Sequence, residues 1–154
     1  LNFSLIVQNG SGPFASPAGT TRYILQRHRE VLQSLVGQPV ELHGVSDLAI
    51  RQRKVSGNAQ RRRRHAVLFH GTFLLALDIT LVEQCLPMPL AQPSYRQHRS
   101  HADFLANLPI ARGRLTEALR TAWKAHQVLQ DVPVTHINRL AETRYATDAW
   151  TCRF

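Results

Sequence analysis

The sequence is poor in lysine, methionine, cysteine and aromatic side chains, and each shortage excludes something. The two cysteines, Cys85 and Cys152, lie far apart and outside any CxxC spacing. That excludes a disulfide scaffold and a zinc ribbon, and it suits a reducing compartment. No apolar run approaches the roughly 20 residues of a membrane-spanning helix. No basic segment followed by an apolar stretch opens the chain, so no secretory signal is visible and a cytoplasmic, non-membrane protein is expected. Met88 is the only methionine and the chain starts at Leu1, which suggests that residues precede it. Between Arg51 and Leu68 there is no Phe, Tyr or Trp. A nucleic-acid surface that stacks bases needs such rings, so nucleic-acid binding through this stretch is disfavoured.

What is present fits one globular domain. The chain has 154 residues, of which 44% are apolar and 19% charged, a balance too apolar for disorder. Its net charge of +9 is concentrated: seven basic residues (Arg51, Arg53, Lys54 and Arg61 to Arg64) and no acid fall between Arg51 and Arg64. A local basic patch suits an anionic partner. Lys54 and Lys124 are the only lysines beside 17 arginines, which makes the position of Lys54 more informative than that of any one arginine.

Periodicity outlines the elements. Asn2 to Gln8 is a short apolar run and predicts a strand. After a loop rich in Gly and Pro, Thr20 or Thr21 is expected to cap a helix with Ile24, His28, Val31, Leu32 and Leu35 on one face, stopping at Gly37. Strands are predicted over Pro39–Leu42, Asp47–Arg51, Lys54–Gln60 and Ala66–Asp78. Leu86 to Arg99, with three prolines, reads as an irregular crossing. A short helical turn is expected at Asp103–Leu105, a long helix over Arg112–Gln130 and a shorter one over Arg139–Thr147. Cys85 is expected to pack in the core. The order strand, helix, several strands, helices predicts an α+β fold with a mainly antiparallel sheet and packed helices. The eight histidines form no convincing metal set: His98 and His101 have only Asp103 nearby.

The chemistry concentrates in residues 54–78, KVSGNAQRRRRHAVLFHGTFLLALD. Lys54 stands beside Ser56-Gly57, where glycine lets a ligand or another backbone approach closely. Phe69-His70-Gly71-Thr72 follows, and a second glycine in a neighbouring strand would clear space for a ligand. Together they would line a slot with an apolar end and a cationic end. An acyl phosphate or acyl-adenylate needs such a slot, with the lysine facing the developing negative oxygen.

These residues resemble the central signature of the lipoate–protein ligase A family: Lys54-Val55-Ser56-Gly57-Asn58-Ala59-Gln60 with Phe69-His70-Gly71-Thr72-Phe73-Leu74-Leu75. Ser46-Asp47-Leu48-Ala49-Ile50 resembles the strand before the family's lysine. Arg99-Ser100-His101 with Asn107-Leu108 resembles its arginine-serine crossing, and Ala141-Glu142-Thr143 through Trp150 its closing helix. The resemblance implies a class II synthetase-like core shared with biotin–protein ligases, of which residues 1–154 would be a part. It implies lipoate–protein ligase activity in two steps: ATP and lipoate give lipoyl-adenylate, and the acyl group passes to a lysine of an acceptor lipoyl domain. The acceptors implied are subunits of 2-oxoacid dehydrogenases and the glycine cleavage H protein. Carried over residue by residue, Lys54 is the catalytic lysine. Ser46, Asp47, Ser56 and Gly57 would surround the nucleotide, with Asp47 toward the phosphates and Mg2+. His70, Gly71 and Thr72 would line the acyl slot.

The family's arginine-arginine-x-x-glycine-glycine-glycine motif and a small accessory domain found in some members have no counterpart in these residues. That leads to the expectation that the chain alone does not catalyse lipoylation, and it keeps a non-catalytic relic as an alternative. The other alternative is an octanoyl or lipoyl transferase of the same fold. Such an enzyme needs a cysteine nucleophile, which one branch carries near the position where this chain has Asp47.

Overall fold

A computed structural model describes residues 1–153. Its centre is a five-stranded sheet in which every neighbouring pair is antiparallel. The strands are β1 (Asn2–Gln8), β2 (Glu41–His43), β3 (Asp47–Ile50), β4 (Arg53–Arg62) and β5 (Ala66–Phe73), in the spatial order β1-β5-β4-β3-β2. Strands β2 to β5 form a meander, and the first strand returns to pair along β5. Helices α1 (Pro17–Val36), α2 (Ile79–Cys85), α3 (His101–Phe104), α4 (Arg112–Ala122), α5 (Val134–Leu140) and α6 (Asp148–Thr151) complete the element order. The predicted α+β fold with a mainly antiparallel sheet is the one observed.

One face of the sheet is covered. Alternation along β5 turns Val67, Phe69 and Phe73 inward, as a two-residue period requires. Phe69 and Phe73 join Ile24, Leu25 and Leu32 of α1 and Leu115 of α4 in one cluster that also holds Leu48, Val55 and Leu108. Truncating a ring such as Phe69 to Ala would cost about 3–5 kcal/mol. The opposite face carries Ser4, Ile6, Ala59, Arg61, His70 and Thr72, all exposed.

Several boundaries differ from expectation for local reasons. Helix α1 starts at Pro17 because Ser16, not Thr20 or Thr21, is the cap: its hydroxyl accepts the Gly19 N–H at 3.1 Å. Proline is well suited to the first helical position, where its missing N–H costs nothing. Strand β5 ends at Phe73 rather than Asp78, since Asp78 caps α2 by accepting the Leu81 N–H. The expected helix over Arg112–Gln130 stops at Ala122. There Lys124 adopts φ 51, the Ala125 N–H donates to Arg120 and the Lys124 N–H to Thr121. This is a Schellman stop with lysine in the place usually held by glycine. The stop turns Trp123 onto the core, where its indole N–H donates to His28 Nε2 at 3.0 Å. Arg27 of α1 donates to the Ala122 carbonyl and lies over the Trp123 ring, joining the two helices.

Beyond α4, the helix expected at Arg139–Thr147 starts earlier: α5 runs directly into a π-helical turn at Ala141–Tyr145, and the separate α6 follows. Cys85 is not in the core. It ends α2, no residue of which is buried, and its thiol is exposed.

Candidate active site

The open face of the sheet is organised in cross-strand rows. Asn2, Thr72, Gly57 and Asp47 stand in one row across β1, β5, β4 and β3, and Ser4, His70 and Ala59 stand in the next. These residues, with Ser46, Lys54, Asn58 and Gly71, line an open groove of about 530 Å3. Of the residues expected from the sequence, Ser46, Asp47, Lys54, Gly57, His70, Gly71 and Thr72 all border it. Ser56 does not: it is fully buried on the core side.

Strict alternation would put Lys54 and Gly57, three residues apart, on opposite faces of β4. A β-bulge prevents this. Leu48 pairs with Ser56 and Ala49 with Lys54, leaving Val55 without a cross-strand partner. Val55 and Ser56 are therefore both buried, and the parity of β4 changes between them. Bulges re-aim side chains in this way. The Lys54 side chain then lies back over Gly57. A Cβ built there would come within 3.0 Å of Lys54 Cε and 3.1 Å of Nζ, so glycine supplies the space that the ammonium occupies.

At the far end of its reach, Lys54 Nζ forms a 2.7 Å ion pair with Asp47 Oδ1. The second carboxylate oxygen, Oδ2, accepts the phenol proton of Tyr95 at 2.8 Å. Burial of the phenol, reinforced by the adjoining carboxylate, raises the Tyr95 pKa well above the usual tyrosine range, so Tyr95 remains a donor. Beside them a small polar network ties the loop before β3 to β4. Ser46 Oγ donates to the Asn58 carbonyl, and Asn58 Nδ2 donates to the Ser46 carbonyl and to Ser56 Oγ. A Cβ on Gly71 would collide with Asn58 Oδ1 at 2.0 Å, so the second glycine makes room for Asn58 as the first does for Lys54.

The partners of Asp47 bear on the metal expected there. Both carboxylate oxygens are engaged, by Lys54 and by Tyr95. The described residues hold no cluster of three or more His, Cys, Asp or Glu side chains. Mg2+ uses few protein carboxylates but needs free oxygen ligands. Asp47 is the one carboxylate lining the groove, and each of its oxygens keeps a second lone pair, so it would give a magnesium ion a single protein ligand with substrate phosphates and water supplying the rest.

The site list read from the sequence missed Tyr95 and Asn58. Asn58 lies inside the KVSGNAQ stretch, and its signal was the invitation two glycines give to a neighbouring polar side chain. Tyr95 carried no local signal: it lies 48 residues from Asp47 and meets it only through the crossing between α2 and α3.

The sequence matches the family described as the lipoyl protein ligase A/B catalytic domain over residues 1–126. It is 28% identical over 120 residues to the octanoyltransferase LipM of Brevibacillus brevis, a match covering 70% of this chain and 44% of that one. It is 29% identical over 161 residues to lipoate–protein ligase 1 of Staphylococcus aureus, covering 97% of this chain and 48% of the relative. The chain thus spans about half the length of these curated relatives. Its fold is that of the bipartite lipoate protein ligase of Thermoplasma acidophilum, solved in a study of that enzyme and its E2 lipoyl domain. The TM-score is 0.76 at 17% identity, over 97% of this chain and 62% of that structure.

Proposed function

The chain belongs to the lipoyl protein ligase A/B catalytic-domain family, and on that footing we propose that it serves a lipoate–protein ligase. In this reading ATP activates lipoate as the adenylate, and the acyl group then passes to a lysine of an acceptor lipoyl domain. The observation that carries the proposal is Lys54: a lone ammonium brought by the Val55 bulge onto a groove of backbone and small side chains. A partly desolvated, fixed cation stabilises the oxygen charge that develops when a carboxylate attacks a phosphate or an amine attacks an acyl carbonyl. Asp47 holds the cation in place. The row of Gly57, Thr72 and Asn2 with His70 and Ala59 gives the acyl chain a shallow bed on the open face. ATP and lipoate are substrates in this reading, and no step is assigned to a metal.

The likeness to an octanoyltransferase favours a second reading, acyl transfer through a cysteine thioester. Against it, neither Cys85 nor Cys152 lines the groove, and Asp47 rather than a thiol adjoins Lys54.

The test pairs two incubations of the complete protein that carries these residues with an acceptor lipoyl domain. One contains ATP and lipoate; the other contains octanoyl-acyl carrier protein and no ATP. The ligase reading expects acyl-adenylate in the first and no acceptor product in the second. Lys54→Ala should lower adenylate formation by about a hundredfold, the scale of losing an oxyanion donor. ATP-independent octanoyl transfer would establish the second reading instead. Adenylate formation at the parental rate in Lys54→Ala would remove Lys54 from the mechanism.

A further inference from the structure

We propose that Tyr95 is a positioning residue for the reaction, acting on Lys54 through Asp47. The inference rests on the ligase reading above and extends it to a segment outside the strands that build the groove.

Three groups form one line: the Tyr95 phenol donates to Asp47 Oδ2 at 2.8 Å, and Asp47 Oδ1 pairs with Lys54 Nζ at 2.7 Å. With both oxygens bound, the carboxylate cannot rotate, and the ammonium has one anchoring point instead of two. A bond between a phenol and a carboxylate is among the shorter and stronger side-chain hydrogen bonds. It also removes the freedom of Asp47 to draw Lys54 away from the groove.

The ring itself is held from several sides. It stacks on His43 at 4.4 Å and 19° and leans on Phe104 at 5.1 Å. Its carbonyl accepts from Arg99 Nη2 at 2.8 Å, and the same nitrogen donates to the Gln52 carbonyl of the β3–β4 turn. Arg96 Nε and Arg99 Nε donate reciprocally to each other's carbonyls, and both guanidinium groups lie over Phe104. Between them Gln97 and His98 both sit at positive φ, 52° and 58°. Two consecutive non-glycine residues in that region are costly and persist only where the surroundings impose them. A clamp of this kind is more than a surface loop needs. It fixes the height of one hydroxyl over one carboxylate.

Tyr95→Phe removes that hydroxyl while keeping the ring contacts with His43 and Phe104. The measurements are steady-state adenylate formation, thermal unfolding, and labelling of Lys54 by an amine-selective acylating reagent read by peptide mass spectrometry. Positioning predicts that kcat falls about tenfold, the equivalent of one such hydrogen bond, with the Michaelis constants for ATP and lipoate within about twofold of the parent. Lys54 labelling should rise several-fold as the ammonium loosens, and the labelling holds independently of turnover. In an Asp47→Asn background, Tyr95→Phe should have no further effect on either readout. Unchanged kcat and unchanged labelling would overturn the proposal. So would a loss of equal size in the Asp47→Asn background, since Tyr95 would then act by another route. If the parent forms no acyl-adenylate from ATP and lipoate, the ligase reading fails, and the labelling result still decides whether Tyr95 fixes the ammonium.

Discussion

At the scale of single residues, the fold treats ionisable groups in two opposite ways. Lys54 pairs with Asp47 at the edge of a groove. His28 is instead buried in a ring of Phe3, Phe73 and Trp123, 1% exposed, with its Nε2 accepting the Trp123 indole proton. Burial, helped by the neighbouring Arg27 charge, lowers its pKa from 6.5 to about 4. The sign of the stability effect follows. Above pH 6.5 the ring is neutral folded and unfolded. Between pH 6.5 and about 4 the unfolded chain binds a proton that the folded chain refuses, so stability falls on acidification. The full loss across that window is about 3 kcal/mol, and below about pH 4 this residue adds nothing further. Urea unfolding at pH 7 and pH 4.5 should show most of that drop in the parent and a clearly smaller one in His28→Phe. Equal drops in both proteins would assign the acid sensitivity to other groups.

At the scale of elements, the β3–β4 hairpin places Lys54 just past a strained turn. Ile50 pairs with Arg53, so the loop is the two residues Arg51 and Gln52, at φ 50° and 63°. A two-residue hairpin with both residues at positive φ is the geometry that favours Asn-Gly, yet both positions carry long side chains. A side chain in the left-handed region costs roughly 1–2 kcal/mol, against about 0.5–1 kcal/mol for the extra freedom glycine brings to the unfolded chain. Gln52→Gly should therefore raise the melting temperature by about 1–3 °C for a domain of this size, without changing the Gln52 carbonyl that Arg99 binds. A lower melting temperature would mean that the 3.4 Å contact from Gln52 to Glu41 matters more than backbone strain. The same hairpin shows where a sequence can be read and where it cannot. Alternation located the strands, and the lone lysine beside Gly57 located the groove. Nothing in the residues 54–57 announced that Val55 bulges, and alternation alone puts Lys54 on the wrong face. Tyr95 was hidden for a different reason: its partner is defined by packing across the whole domain. The early stop of α4 belongs to the same class, since the docking of Trp123 on His28 overrode helix propensity through Lys124.

At the scale of the molecule, the basic block that dominates the sequence splits into structural and free charge. Arg53 donates to the carbonyls of Ala102 and Leu105, fastening α3 to the sheet. Arg62 turns toward α1, where it donates to Thr20 Oγ1, the Phe14 carbonyl and Asn9 Oδ1. Arg61, one residue earlier, points the other way and is exposed on the groove face, in the row of Leu68 and Ile6. Arg51, Arg63 and Arg64 are exposed as well. Under the ligase reading, an acceptor domain acidic around its target lysine would be steered by these exposed charges, and steering acts mainly on association. Charges in solvent more than about 8 Å apart are screened at physiological salt, so acceptor modification should weaken with salt more steeply than adenylate formation in the groove. Arg61→Gln with Arg64→Gln should raise the apparent Michaelis constant for acceptor several-fold at low salt and little at 0.5 M, with adenylate formation unchanged. Arg62→Ala should behave differently. Its loss of charge-assisted bonds to four partners, Gln60 Oε1 included, should lower stability by about 2 kcal/mol or more and leave acceptor dependence close to the parent at temperatures where the protein is folded. If Arg61→Gln with Arg64→Gln leaves the acceptor constant and its salt slope untouched, the open face does not meet the acceptor through these charges, and the basic block is there for the fold.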